Sequence, residues 1–207
     1  MIYRYVNYRK FAMQEYRDHL KEHGYVLIKN FLTPDVLELC KSFLDLSLVH
    51  DMRTPESNPY LHGDVYEIGD NIFADSILLA YKNPIEVIFN TEMIPSYIFI
   101  REYMRGSELM THRDRPECEF SATILLNKNG EGDCSLFFCD DKEKTNSVGV
   151  PLEEGDAIIF SGATDFDGKW HYRPRLEPES ITTAFLHYVS PHNNPNSIFP
   201  RPHYRSK

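Results

Sequence analysis

The sequence predicts a mainly β domain with flanking helices, and three observations point there. From residue 94 onward, short apolar β-prone runs recur between turn signals. The first ninety or so residues carry helical periodicity instead, and the one early β-prone run feeds straight into a helix. A length of 207 residues suits one packed domain rather than two. We expect an N-terminal strand and helices over 1–93, a β core over 94–190 and a C-terminal arm over 191–207.

Taken in order, "FAMQEYRDHLKE" (11–22) predicts a helix, and "GYVLIKNFL" (24–32), apolar and β-prone after a glycine, predicts a strand. In "TPDVLELCKSFLDLSL", Thr33 stands at the N-cap and Pro34 at the first helical position. Val36, Leu37, Cys40, Phe43 and Leu44 then share one face. The stretch "HDMRTPESNPYLHGD" (50–64) reads as loop, and one or two helices are expected between 75 and 90. Eight runs follow: 97–104, 108–112, 120–126, 134–138, 147–151, 156–160, 169–173 and 181–189. Between them lie "RGS", "NKNGEGD", "DDKEKTN", "EEGD" and "GATDFDG", each carrying Gly or Asx for tight reversal. Eight short strands at this spacing predict a sandwich or jelly roll. The tail "SPHNNPNSIFPRPHYRSK" is polar and broken by proline, without a packing period; it reads as a loose arm or lid.

Composition narrows the function classes. Hydrophobic residues at 42% and aromatics at 13% fit a globular core, and no apolar run is long enough to cross a bilayer. Lys and Arg number 22 against 31 Asp and Glu, a net charge of −9 that argues against a nucleic-acid partner. The opening "MIYRYVNYRKFAMQEYRD" has positive charge but no apolar stretch or small-residue cleavage site behind it, so a cytoplasmic location is expected. Cys40, Cys118, Cys134 and Cys139 form no CxxC pair and read as reduced structural thiols. Were Cys134 and Cys139 on one strand, an offset of five would put their thiols on opposite faces.

The pattern that carries chemistry is His-x-Asp, which occurs twice. His62 and Asp64 lie in the proline-rich loop, where a solvated histidine is the plainer reading. His112 and Asp114 end a short strand, and residues i and i+2 of an extended segment present their side chains to the same side. A metal site needs a third ligand, and strands distant in sequence converge in a jelly roll. Of the late histidines, His187 lies mid-strand and reads equally as a hydrogen-bonded core residue, while His192 and His203 lie in the tail. His171, which begins a strand after "EEGDAIIFSGATDFDGKW", is the best choice. Two imidazoles and one carboxylate on one face of a metal, with the other face open, is the ligand set of non-haem Fe(II) oxygenases.

The chain resembles the Fe(II)/2-oxoglutarate-dependent oxygenase superfamily, and within it the prolyl-hydroxylase-like branch. The resemblance is carried by "REYMRGSELMTHRDRPE" (101–117), with Tyr-x-x-Gly ahead of the His-x-Asp, by "GEGDCSLFF" (130–138), by "LEEGDAIIFSG" (152–162) and by "HYRPRL" (171–176). "HGYVLIKNFLTPDVLELC" (23–40) is similar to the family's leading strand and helix, and the family order runs over about residues 20 to 190.

The resemblance implies a double-stranded β-helix (jelly roll) core with an N-terminal helical layer, and it makes His112, Asp114 and His171 ligands to Fe(II). It implies 2-oxoglutarate and molecular oxygen as cosubstrates, with oxidative decarboxylation to succinate coupled to hydroxylation of an unactivated C–H bond. Asp114 matters because related halogenases lack that carboxylate. The far carboxylate of 2-oxoglutarate calls for a buried cation. In many of these proteins it stands nine or ten residues after the distal histidine, where this chain has Ser180 and Ile181. Arg173 and Arg175 share the parity of His171 and are the replacements, with Arg173 preferred. Ser180 and Thr182 are expected as secondary donors to that carboxylate, and Tyr103 as a cosubstrate contact or a core aromatic. Lys128 reads as solvated in a turn. Arg113 is expected to point away from the metal and Arg115 to line the mouth or hold a carboxylate-bearing substrate; Trp170 adjoins the distal histidine and is expected to pack there or to stack on a substrate. The implied substrate is a small molecule or a free or peptidyl amino acid, with proline the first trial, in a pocket built from 50–72, 140–147 and the C-terminal arm. Two other readings of the residues are a non-catalytic jelly roll binding a small acid or sugar, and a cupin-type iron oxygenase that needs no 2-oxo acid.

Overall fold

The computed structural model describes residues 2–69, 71–163 and 168–193, with side chains from residue 13 onward. Helix α1 (Ile2–His23) is longer than its periodic core suggested. It ends at Gly24, whose φ of +77° suits a residue without Cβ and whose N–H still reaches Leu20 O at 2.7 Å. Strand β1 (Tyr25–Ile28) follows, then α2 (Pro34–Val49). Thr33 stands at the expected N-cap but makes no side-chain capping bond there. Helix α3 (Ile72–Phe89) is one helix running through Pro84, with the Asn71 side chain accepting from Ala74 N–H at its start.

The stretch 50–64 is not all loop. It contributes β2 (Thr54–Pro55) and β3 (Leu61–His62), and β4 (Val65–Ile68) follows. These pairs were illegible because a two-residue strand has no period of its own; sheet edges supplied by distant residues order them. His62 is thus in a strand, yet exposed as expected. The remaining strands are β5 (Ile94–Met104), β6 (Glu108–His112), β7 (Phe120–Asn129), β8 (Leu136–Cys139), β9 (Val148–Val150), β10 (Ala157–Ser161), β11 (Trp170–Arg173) and β12 (Ser180–Val189). Two boundaries correct the sequence reading. Lys128 lies within β7 and donates to Gly132 O at 2.6 Å, and Cys134 precedes β8, so it shares no strand with Cys139. All four thiols are buried and unpaired with one another.

Among the described residues the strands form two antiparallel sheets, ordered β1-β10-β7-β12-β5-β4-β2 and β3-β6-β11-β8-β9. The larger sheet is covered on both faces. Ile98, Ile100, Ile124, Leu126, Ile159, Ala184 and Leu186 pack against Leu20, Cys40, Leu78 and Ile85 of the three helices. Tyr103, Leu125, Ile158, Phe160 and Ile181, on the other parity, meet Leu109, Leu136 and Phe138 of the smaller sheet. Because both faces are covered, β7, β10 and β12 are buried along nearly continuous runs rather than at alternate residues. No described helix is long and apolar enough to cross a membrane.

Candidate metal centre

Strands β6 and β11 run side by side, and their register sets His112 directly opposite His171. The two rings lie 4.3 Å apart between centroids. Strand β6 stops at His112, so Asp114 is placed by something other than strand parity. Its N–H donates to Gly162 O at 2.9 Å and it makes an isolated bridge with Ala163, which ties it to the end of β10. From there Asp114 Oδ1 lies 3.6 Å from Nε2 of His112 and 3.6 Å from Nε2 of His171. The three ligand atoms lie within 4.8 Å of one another, a spacing that accommodates one metal ion.

Backbone carbonyls orient both imidazoles. His112 Nδ1 faces Met110 O at 2.9 Å and His171 Nδ1 faces Lys169 O at 3.0 Å, each two residues back along its own chain. A carbonyl only accepts, so both Nδ1 atoms carry hydrogen, and both Nε2 atoms face Asp114 Oδ1. Burial, and then the neighbouring His171, pull the His112 pKa down to about 4 against the attraction of Asp114. Burial alone would raise the Asp114 carboxyl, but His171, His187 and His112, with a hydrogen bond from Ser121, hold it below its ordinary value. A neutral His112 imidazole beside an ionised carboxylate suits metal binding.

A cavity of about 780 Å³ opens over this group. One wall is the inward row of β5, with Tyr97, Phe99, Arg101 and Tyr103; Tyr60, stacked on His112 at 4.9 Å, stands on another side. Arg101 is ion-paired to Glu67 at 3.1 Å and Glu56 at 3.5 Å, and its guanidinium lies 4.2 Å from the Phe99 ring centroid. Tyr97, Phe99 and Arg101 were legible in principle, since they share the parity of Tyr103 along one strand. Tyr60 had no local signal, because it reaches His112 only through the β3–β6 pairing.

Arg173 is 2% exposed, and none of its three guanidinium nitrogens has a hydrogen-bond partner among the described residues. Burial pulls its pKa below the ordinary arginine value, against the nearby Tyr103 phenol. The Tyr103 ring lies 4.9 Å from the guanidinium carbon, and Tyr103 Oη and Thr183 Oγ1 are likewise buried without partners. A buried cation and two hydroxyls left unsatisfied are costly in a folded protein and call for a ligand. A carboxylate is the group that the Arg173 guanidinium fork and the phenol beside it would satisfy.

Several expectations are corrected. Arg175 is exposed, because β11 ends at Arg173 and the chain turns away at Pro174. Thr182 faces the helices, lining a small cleft with Lys41 and Leu44, and Ser180 shares its parity; the inward row of β12 is Ile181, Thr183, Phe185 and His187. Neither Ser180 nor Thr182 therefore approaches the cavity. Trp170 points to the opposite side of its strand from His171 and carries the Arg113 guanidinium 4.9 Å from its ring centroid instead of lining the cavity. Arg113 does line the mouth, because β6 ends one residue before it and parity no longer applies. Arg115 lines the cavity and donates to Tyr97 Oη at 2.7 Å. Among the loops expected to build the pocket, Glu56, Asn58, Pro59, Tyr60 and Glu67 line it, and no described residue of 140–147 does. The C-terminal arm and His203 lie outside the described residues from 194 onward.

A second group, Asp114, Cys118 and His187, also converges. Ser121 Oγ lies between Asp114 Oδ2 and His187 Nδ1, at 3.0 Å from each, and burial drives the Cys118 thiol far above its ordinary pKa. This is a hydrogen-bonded support beneath the first group, not a second set of ionised ligands.

No family model matches the sequence, and no curated protein matches it. Solved structures do share the fold. An oxidoreductase of the 2OG-Fe(II) oxygenase family from Burkholderia pseudomallei superposes with a TM-score of 0.69 at 19% identity, over 88% of this chain and 92% of that one. A Pseudomonas putida prolyl-4-hydroxylase gives 0.60 at 16% identity, over 84% and 98%. HygX from Streptomyces hygroscopicus, solved with nickel, 2-oxoglutarate and hygromycin B, gives 0.66 at 12% identity, over 86% and 87%. The chain thus has the double-stranded β-helix fold of the 2-oxoglutarate-Fe(II) oxygenases, with its helical layer on the outer face of the larger sheet.

Proposed function

We propose that this protein is an Fe(II)- and 2-oxoglutarate-dependent dioxygenase that hydroxylates an unactivated C–H bond of a small molecule or a free or peptidyl amino acid, with proline the first trial. His112, Asp114 and His171 would hold the iron through two neutral imidazole nitrogens and one carboxylate oxygen. The observation that carries the proposal is Arg173: a fully buried guanidinium without a partner, two residues beyond His171 on the same strand. A cupin-type oxygenase working without a 2-oxo acid has no use for it. Bound iron and 2-oxoglutarate would supply the activation of oxygen and the oxidising power for C–H hydroxylation.

The chain's own residues do the rest. Arg173 would receive the distal carboxylate of the cosubstrate bidentately, with the neighbouring Tyr103 hydroxyl adding a donor. Phe138 and Phe160, which pack against His171, keep water from its side of the metal group. Tyr60, Tyr97, Phe99, Arg101 and Arg115 present aromatic faces and charged groups where a substrate would enter. A cavity of about 780 Å³ suits a small molecule or one residue of a peptide.

The test is an anaerobic titration of the apoprotein with Fe(II) and then 2-oxoglutarate, followed by the weak visible charge-transfer band of the chelate. A band that needs both additions and is lost in His112→Ala is expected. In Arg173→Ala it should require at least about tenfold more 2-oxoglutarate. Stoichiometric iron binding without a band would instead support the cupin-type reading, and a protein that binds neither would be a binding module.

A further inference from the structure

We propose that Ser121 and His187 are positioning residues that turn one oxygen of Asp114 away from the metal, so that the positions needed by the keto acid stay open. This rests on the function proposed above and assigns a role to residues outside the ligand set.

The two oxygens of Asp114 have different surroundings. Oδ1 faces both ligand imidazoles at 3.6 Å, whereas Oδ2 accepts from Ser121 Oγ at 3.0 Å. Ser121 on β7 and His187 on β12 are directly paired across the sheet, and Ser121 Oγ lies 3.0 Å from His187 Nδ1. A hydroxyl has one hydrogen. With it directed at Oδ2, Ser121 must accept from His187, which places the hydrogen on Nδ1. The Cys118 carbonyl, 3.2 Å from Ser121 Oγ, competes for that hydrogen, but the Asp114 carboxylate oxygen is nearer and the stronger acceptor. The imidazole behind the hydroxyl is held by Tyr97 and Phe99, with ring centroids at 4.7 and 5.5 Å.

Gly162 completes the arrangement. A Cβ there would stand 2.4 Å from Asp114 Oδ2 and 2.7 Å from both Ser121 Oγ and Cys118 O, so the space for this carboxylate–hydroxyl pair exists only because the residue is glycine. The chemical consequence is a count of positions. Two imidazoles and one carboxylate oxygen leave three of six positions on a metal, two for a keto acid and one for oxygen. A carboxylate bound through both oxygens would occupy one of them. Without the Ser121 donor, the hydrogen bond that holds Oδ2 on the β7 side is lost, and the carboxylate is released to turn toward the metal.

The test uses the full chain and the variants Ser121→Ala, His187→Phe and Ser121→Thr. Four properties are measured: apoprotein melting temperature, Mn(II) affinity by calorimetry, the ligand-field absorption of the Co(II)-loaded protein, and the 2-oxoglutarate concentration giving half the visible band with Fe(II). In Ser121→Ala and His187→Phe we expect Mn(II) affinity kept or tightened, an altered Co(II) spectrum and a rise of about tenfold in half-saturating 2-oxoglutarate. Ser121→Thr, which keeps the hydroxyl, should restore all three. Unchanged half-saturation, or parallel losses of metal and 2-oxoglutarate binding with a fall in melting temperature, would overturn the positioning role while leaving the function intact. A wild-type protein that binds Mn(II) but shows no band with Fe(II) and 2-oxoglutarate would overturn both.

Discussion

Arg173 and His112 show how far single residues in this protein serve the site at the expense of the fold. Replacing a buried, unpartnered guanidinium with an apolar side chain of similar length removes a desolvation penalty. Arg173→Met is therefore expected to leave the apoprotein as stable as the wild type or more so in thermal denaturation, while its 2-oxoglutarate requirement rises. A marked loss of apoprotein stability would mean that Arg173 is paired in solution and is no anchor. His112 sets a pH dependence of definite sign. An unfolded histidine takes up its proton near pH 6.5, whereas the folded His112 does so only at about 4. Between those values the unfolded chain binds more protons, so the apoprotein loses stability as the pH falls from about 6.5 toward 4 and is unaffected by this group above that window. Asp114, lowered from 3.8, adds its own loss only at still lower pH. Melting temperatures across this range should show a shallower decline in His112→Gln than in the wild type.

At the scale of elements, strand ends matter more than strand centres. β6 stops at His112 and β11 at Arg173, and the register between these strands slips between His171 and Arg173. The two histidines stay opposite each other while the arginine is carried on toward Leu109. Asp114 is fixed by the end of β10, not by its own strand. Gly162→Ala should therefore weaken metal binding by about ten- to a hundredfold, because its Cβ would collide with Asp114 Oδ2. Calorimetric titration with Mn(II) checks this, and an unchanged affinity would show that the carboxylate can move aside at no cost. Strand prediction from alternation served β6 of the smaller sheet and failed to orient β12, whose residues are buried on both faces. A strand apolar on both sides does not reveal which parity looks inward, which is why Thr182 was expected where Thr183 stands.

Across the whole molecule, the larger sheet joins the site to the helices. β12 lies between β7 and β5, so residues far apart in the chain meet in one ladder. The Tyr188 hydroxyl on β12 reaches Leu78 O of α3 at 2.8 Å, binding the helical layer to the same strand that carries Thr183 and His187. We expect the helices and the β core to unfold as one unit. Circular dichroism of the helices and fluorescence of Trp170, the single tryptophan, should report one coincident thermal transition. Two separated transitions would divide the chain into independent domains.

By itself the sequence determined the layer order, most of the strands and the His112, Asp114 and His171 group, because alternation, turn residues and short spacings are local properties that survive in one dimension. It also narrowed the anchor to Arg173 or Arg175. The tertiary structure buries Arg173 and leaves Arg175 at the surface beyond the strand's end, which favours Arg173 as the proposed anchor. It likewise turned Thr183 inward in place of Ser180 and Thr182, took Trp170 away from the cavity, and brought Tyr60, Ser121, His187 and Gly162 to the site. Each of those outcomes depends on the register between strands far apart in sequence, a relation that no local pattern of residues encodes.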